Sequence, residues 1–219
     1  MRKIALLGLT LFLSVVSAVI VDGVAISVAT KVIIRSEIDQ RIRLTAFFNG
    51  AQPDLSLKER REASQRLIEQ KLVEREMDLG RYPRSGPDAS HSLLAAYVKN
   101  NFHGSEAALQ ASASTYGLTP DEIGADLAWQ ADLLTFLNLR FRPAVQVTDE
   151  NIRKYFGEKF APGLPPAQHE AALSDLHSQI EEQLTTEGAD RELDAWLKDQ
   201  RKRTKIEYVD KDLMEPDPK

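Results

Sequence analysis

The four histidines, His91, His103, His169 and His177, are the side chains best suited to acid–base or metal chemistry near neutral pH. None stands in an H-E-x-x-H spacing, which sets two imidazoles on one helix face around a metal, so no metal site is expected. Serines lie near His91 and His177, but a nucleophilic serine has to be presented on a strained turn, and no G-x-S-x-G occurs. The chain has no cysteine, which excludes a thiolate nucleophile, a thiolate metal site, disulfides and a lipid-modified N-terminal cysteine. Its glycines are scattered as caps and turns, with no phosphate-cradling loop among them. The carboxylate pairs Asp121/Glu122 and Glu181/Glu182 are adjacent in sequence, hence about 100° apart on a helix, and make poor acid–base partners. The basic run Lys198, Arg201, Lys202, Arg203 and Lys205 sits where a helix ends and complements its dipole. The sequence therefore predicts no catalytic residue, cofactor or metal.

What remains is non-covalent chemistry. Phe47, Phe48, Tyr97, Phe102, Trp129, Leu133, Phe136 and Trp196 form a large apolar endowment for a helical chain. Most such stripes are core. If the helices form an open cradle, part of this surface lines a groove that holds extended peptides, and these eight residues are its candidates.

The elements that position them begin after a leader. Arg2 and Lys3 precede an apolar or small stretch from Ile4 to Val16, followed by Ser17 and Ala18. A charged start, a thirteen-residue apolar region and small residues before a cut after Ala18 are the features of a secretory signal peptide. The apolar stretch is shorter than the ~20 residues that span a bilayer, so cleavage and export to the periplasm are expected over a retained anchor. Loss of Arg2 and Lys3 with the leader takes the formal charge from −5 to −7. That acidity argues against a nucleic-acid partner, which selects a basic face.

The β-branched runs of residues 19–34, separated by Asp22-Gly23 and by Ala29-Thr30-Lys31, predict a short strand, a tight turn and a hairpin, with the Asp-Gly pair supplying the positive φ angles such turns need. Ser36 is expected to cap a helix to about Phe48, ended at Asn49-Gly50. A charged helix follows from Ser56 to about Leu79, with Leu67, Ile68, Leu72, Val73, Met77 and Leu79 on its apolar arc. Arg81 to Pro87 is a loop, and Asp88 is expected to cap a helix to about Phe102. Another helix runs from Ser105 to Tyr116, stopped by Gly117.

Thr119-Pro120-Asp121-Glu122 combines an N-cap threonine, proline at the first helical position and glutamate at the third, the strongest local signal in the chain. In the helix it opens, Trp129, Leu133 and Phe136 recur at helical spacing, and Ile123, Leu127, Leu134 and Leu137 widen the face beyond half the circumference. Arg142-Pro143 stops it. Thr148 opens a short helix to about Phe160, and residues 161–166 form a breaker-rich linker. A long helix carries Leu173, Leu176, Ile180 and Leu184 on one stripe, then Leu193, Trp196 and Leu197 on another. Gly188 lies between them, where the helix either bends or changes neighbours. Residues 205–209 alternate as a strand, and residues 210–219 form a flexible tail.

In this order the elements resemble the SurA/PrsA group of extracytoplasmic chaperones associated with parvulin isomerases. Val21 to Asp39 (VDGVAISVATKVIIRSEID) resembles that family's opening hairpin and first helix, and Arg66 to Glu74 (RLIEQKLVE) its second helix. Val147 to Phe156 (VTDENIRKYF) is similar to the segment that introduces the catalytic domain, and Arg191 to Tyr208 to the closing helix and strand. The resemblance implies a mainly α, multi-helix domain like the SurA N-terminal domain, with a short N-terminal β-hairpin. Its C-terminal long helix and strand fold back on that hairpin. Residues 19–160 would be the N-terminal chaperone domain, and residues 167–209 would complete its core.

The family's isomerase domain is inserted where this chain has only Ala161 to Pro166. An isomerase lowers a barrier of ~18–20 kcal/mol in a shaped pocket, which six loop residues cannot build. The expectation is a non-enzymatic periplasmic holdase. Its partners would be unfolded exported proteins, outer-membrane protein precursors above all, with no stable membrane insertion after leader cleavage. An adaptor for one dedicated partner and a peptidyl-prolyl isomerase are the alternatives, and monomer and dimer both stand open.

Overall fold

The computed structural model describes residues 22–214; the leader and residues 215–219 lie outside them, as does the strand expected before Asp22. Val24–Val28 (β1) and Lys31–Ile34 (β2) pair antiparallel, and Val28 opposite Lys31 leaves Ala29-Thr30 as a two-residue turn. The left-handed residue of that turn is Ala29, at φ 52°, so the hairpin turns within the Ala29-Thr30-Lys31 break that the sequence marked, whereas neither Asp22 nor Gly23 adopts the positive φ of a tight turn. Asp22 instead serves the first helix, α1 (Arg35–Asn49): its carboxylate accepts from the Ser36 backbone N–H at 3.2 Å and from the Ser36 hydroxyl. Ser36 is therefore not the cap of α1. An acidic group from outside the helix satisfies its first turn, where the dipole favours negative charge.

Helix α2 (Leu57–Gly80) starts on Ser56, whose hydroxyl accepts from Glu59 N–H. Leu67, Ile68, Leu72, Val73 and Met77 are buried, but Leu79 is exposed because the last turn of α2 outruns the body, with Asp78 and Gly80 exposed beside it. Helix α3 (Pro87–Asn101) begins one residue before Asp88, with Gly86 as N-cap and Pro87 at the first helical position, where a missing N–H leaves no helical bond unmade. Helix α4 (Glu106–Thr115) is capped by Ser105.

Helix α5 (Pro120–Arg140) carries the predicted capping box: Glu122 N–H donates to Thr119 Oγ1 at 3.2 Å, and Thr119 N–H donates to the Glu122 carboxylate at 2.7 Å. Most of α5 is covered. Its solvent line runs through Ala125, Gln130, Leu134 and Asn138, which leaves Leu134 61% exposed rather than packed.

Helix α6 (Asp149–Lys159) opens on a second box made by Thr148 and Asn151. Residues 161–166 are more ordered than a linker. Ala161–Gly163 and Pro166–Gln168 are 3-10 turns with a proline in each first turn, and Ala161 and Leu164 pack on α6 and the next helix.

Helix α7 (His169–Arg203) is unbroken at Gly188 and changes neighbours there. Its first half covers α6 through Ile180, and its second half joins α2 and α5 through Leu193, Trp196 and Leu197. A glycine inside a helix costs about 1 kcal/mol relative to alanine. The reason for Gly188 is Val145: a Cβ here would meet Val145 Cγ1 at 2.4 Å.

Strand β3 (Ile206–Tyr208) pairs antiparallel with β1, giving the order β2-β1-β3, so the last strand closes on the first hairpin. The tail does not begin at residue 210. Lys211–Leu213 forms a 3-10 turn whose Leu213 is buried against α2, fastened by Arg35 to Asp210 at 3.0 Å and Arg61 to the Asp212 carbonyl at 2.7 Å. The whole is a mainly α-helical domain with a small antiparallel sheet and a long C-terminal helix. No helix among the described residues is long and apolar enough to cross a membrane.

Candidate functional site

Three apolar clusters organise the domain, and the eight aromatic and aliphatic candidates divide between two of them. Trp129, Leu133, Phe136 and Trp196 belong to the central core, with Ile26, Ile33, Leu67, Ile68 and Met77. Phe136 is 0% exposed and is sandwiched edge-on by Tyr82, Phe141 and Trp196, with ring centroids 5.0, 5.5 and 5.9 Å away. It is core and lines no groove in this conformation. Arg140 covers the Phe136, Phe141 and Trp196 rings and pairs with Glu76 at 2.8 Å. That lid turns the outer faces of these rings away from solvent.

Phe47, Phe48, Tyr97 and Phe102 gather at the other end, where α1 and α3 finish, together with Tyr116. Phe47, 7% exposed, is the buried hub, against Phe48 at 5.4 Å, Tyr116 at 5.5 Å and Tyr97 at 6.2 Å. Phe48, Tyr97 and Phe102 are half-buried around it. Burial pushes the Tyr97 phenol above its ordinary value, because the charged form loses its water.

Beside this cluster α3 and α4 splay apart. The cleft between them, about 500 Å³, is lined by His91, Leu94, Ala95 and Val98 of α3, Ala107, Leu109 and Gln110 of α4, and Pro120 at the start of α5. Positions 91, 94, 95 and 98 form one helical stripe, so a single face of α3 makes one wall. Val98 and Leu109 form a buried apolar floor, and the rim is polar, with His91, Glu106 and Gln110. Small alanines on both walls keep the cleft open. None of these residues was among the eight candidates. The signal that could have found them is the pairing of the Leu94/Val98 stripe with alanine-rich α4, whose few large side chains cannot fill the space facing it.

A second cavity, about 360 Å³, lies between α1, α2 and α5 and touches Trp129. Its polar lining is paired except for Asp121, which is exposed. Arg41 donates to Asp126 at 2.5 Å and to Gln70 at 2.8 Å, Gln130 donates to Asp126 at 2.8 Å, and Gln40 donates to Glu122 at 2.6 Å. A buried pair held in this way fixes the register of α1 on α5 and leaves no donor aimed at a ligand.

The groups that could do covalent chemistry are dispersed. His177 and Asp149 approach to 3.6 Å on the surface, and no group of three metal-ligating side chains occurs among the described residues. Three of the five residues of the C-terminal basic run are paired, Arg201 with Gln65 and Glu69, Arg203 with Asp199 and Lys205 with Glu207, while Lys198 and Lys202 are exposed. No protein-family model matches the chain, and no curated protein matches it.

Proposed function

We propose that this chain is a holdase-type chaperone of the SurA/PrsA kind, which binds unfolded exported polypeptides in the periplasm without isomerising them. The observation that carries the reading is the solvent-open α3/α4 cleft, apolar at its floor, polar at its rim and continuous with a half-buried aromatic cluster. Such a cleft accepts an apolar side chain of an extended client while the rim stays wet. The closing of β3 onto the opening hairpin supports the family resemblance, since that group folds its C-terminal segment back in the same way. Precursors of outer-membrane β-barrels are the client class this implies, because their strands alternate apolar and polar residues. Binding is reversible and lowers the free concentration of the aggregating species.

The test is light scattering of a denaturant-unfolded outer-membrane β-barrel protein diluted with and without the chain from Val19 onward. Suppression of aggregation at near-equimolar ratio is expected, with no acceleration of proline-limited refolding. Ala107→Trp, which fills the cleft from an exposed position, is expected to abolish most of the suppression and leave the melting temperature unchanged. No suppression by the unsubstituted chain transfers the weight to an adaptor for one dedicated partner, and accelerated refolding transfers it to an isomerase.

A further inference from the structure

The three-stranded sheet has two faces, and the domain covers one of them. Ile26, Val28 and Ile33 belong to the central core, with Ile206 and Tyr208 packed against it. Strand alternation sets their neighbours on the opposite face. There Ser27 stands between Val32 of β2 and Glu207 of β3. The register shift between Val24 and Ile26 turns Val24 to the same side, opposite Ile34. Val209 continues β3 past Tyr208, its N–H donating to the Ala25 carbonyl at 2.9 Å. Val24, Val32 and Val209 are 39%, 51% and 61% exposed, so each of the three strands contributes to an apolar face that the described residues leave open.

Two features of the chain meet at this face. One is the basic run. Residues 198–209 carry five basic and two acidic side chains in a protein of formal charge −5. Arg201 is turned inward to Glu69 of α2, and Arg203 and Lys205 pair with Asp199 and Glu207. Lys198 and Lys202, one helical turn apart, are exposed and enter no ion pair among the described residues. They lie about 10 Å and about 5 Å along the helix axis from the start of β3, within the ~8–10 Å over which charge acts in salt solution. The other feature is the leader. Residues 1–21 join the domain at Asp22, two residues before Val24, so the apolar leader is attached at the rim of the open face.

We propose that this sheet face, with the basic run beside it, is a docking surface for an anionic phospholipid bilayer. The valines enter the headgroup boundary while Lys198 and Lys202 meet lipid phosphates, so the domain lies on the bilayer and does not span it. Size decides against a second copy of the chain. Strands ~4.8 Å apart with a rise of ~3.3 Å per residue give a face on the order of 200 Å², against about 800 Å² per partner in a stable protein interface. A bilayer needs no matching contour, and the positive excess selects a negative surface. The inference is independent of the chaperone reading and of the α3/α4 cleft.

The experiment uses the chain from Val19 onward, so that binding is not the leader's, with vesicles of phosphatidylcholine alone or of equal parts phosphatidylcholine and phosphatidylglycerol. Co-sedimentation is expected with the anionic vesicles and not with the neutral ones. Lys198→Gln and Lys202→Gln, both at exposed helical positions, are each expected to weaken it about fivefold. Lys99→Gln, exposed on α3 at the other end of the domain, should leave it unchanged. The chain has no cysteine, so Val209→Cys carries a single environment-sensitive fluorophore. Its emission is expected to move to the blue on anionic vesicles, whereas the same label at Ala111→Cys, exposed on α4, should not respond. No sedimentation with anionic vesicles, equal sedimentation with neutral ones, or sedimentation that both lysine variants leave intact overturns the proposal. So does a Val209 label that keeps its aqueous emission while the protein is bound. A blue shift that grows with protein concentration in the absence of vesicles gives the face to a second copy and overturns it as well.

Discussion

The central core and the α1/α3/α4 end of the molecule use the same kind of side chain to opposite effect. In the core, Phe136 is closed in by three aromatic rings and capped by Arg140. At the other end Phe48, Tyr97 and Phe102 surround Phe47 but stay half in water, next to a cleft that α3 and α4 fail to close. The difference lies in what covers the rings. The core is enclosed by the sheet and the long helices α2, α5 and α7, whereas the outer cluster is covered by the start of α5 and by the short α4, whose buried face consists of Leu109 and Ala113. Aromatic content in a sequence thus does not say where a chain binds; the bulk of the opposing element does.

Truncating one ring from each region puts that contrast under the most strain. Phe136→Ala is expected to destabilise the fold by about 3–5 kcal/mol, the cost of an unfilled site for a fully buried phenylalanine. Phe102→Ala, at the end of α3 and half-exposed, should cost less than about 1.5 kcal/mol. Urea unfolding of both variants measures the gap, and equal losses would show that the outer cluster is as closed as the core.

What was legible in the sequence follows the range of the interactions. The caps at Ser56, Ser105, Thr119 and Thr148 and the stops at Gly50 and Gly117 involve residues a few positions apart, so their spacing announces them. The alternation of residues 205–209 announced β3, and the two stripes of α7 announced either a bend or a change of neighbours, of which the unbroken helix shows the second. Contacts of long range were not announced. Asp22 takes the Ser36 cap 14 residues away. Buried Asp132 accepts from Ser85 N–H at 2.6 Å across 47 residues and thereby shapes the loop before α3, and Arg41 meets Asp126 across 85. The α3/α4 cleft escaped for the same reason: a groove is the space between two faces, and each face alone reads as an ordinary apolar stripe.

Helix α5 joins the two regions, since Ile123 packs in the outer cluster and Phe136 in the core. Thr119→Ala removes the capping box at its outer end and should cost about 1 kcal/mol, seen as a lower urea midpoint at unchanged slope. Thr119→Ser, which keeps the accepting hydroxyl, should recover most of it. Hydrogen exchange locates the damage: the extra exposure is expected in the first turns of α5 and along α3, with the Phe136 turn unaffected. Loss of protection at both ends would mean that the two regions unfold as one unit.

The wetness of the outer cluster is read most directly, and through the least change in stability, at Tyr97. Burial raises its phenol above the ordinary value near 10.0. Below that pH the phenol is protonated in the folded and the unfolded chain alike, and its contribution is complete. Above it the unfolded chain ionises first, so stability falls as pH rises from the unfolded value through the folded one, and then levels. Tyr97→Phe removes this group's share of the decline. Urea midpoints taken between about pH 8 and pH 11 should therefore fall less steeply for Tyr97→Phe than for the unsubstituted chain. The difference is small because Tyr97 is only half-buried and water screens it. Parallel curves would place the phenol fully in water and open the aromatic cluster further than its packing on Phe47 and Phe48 implies. A difference as large as that of a fully buried phenol would close the cluster and set Tyr97 beside Phe136 as core.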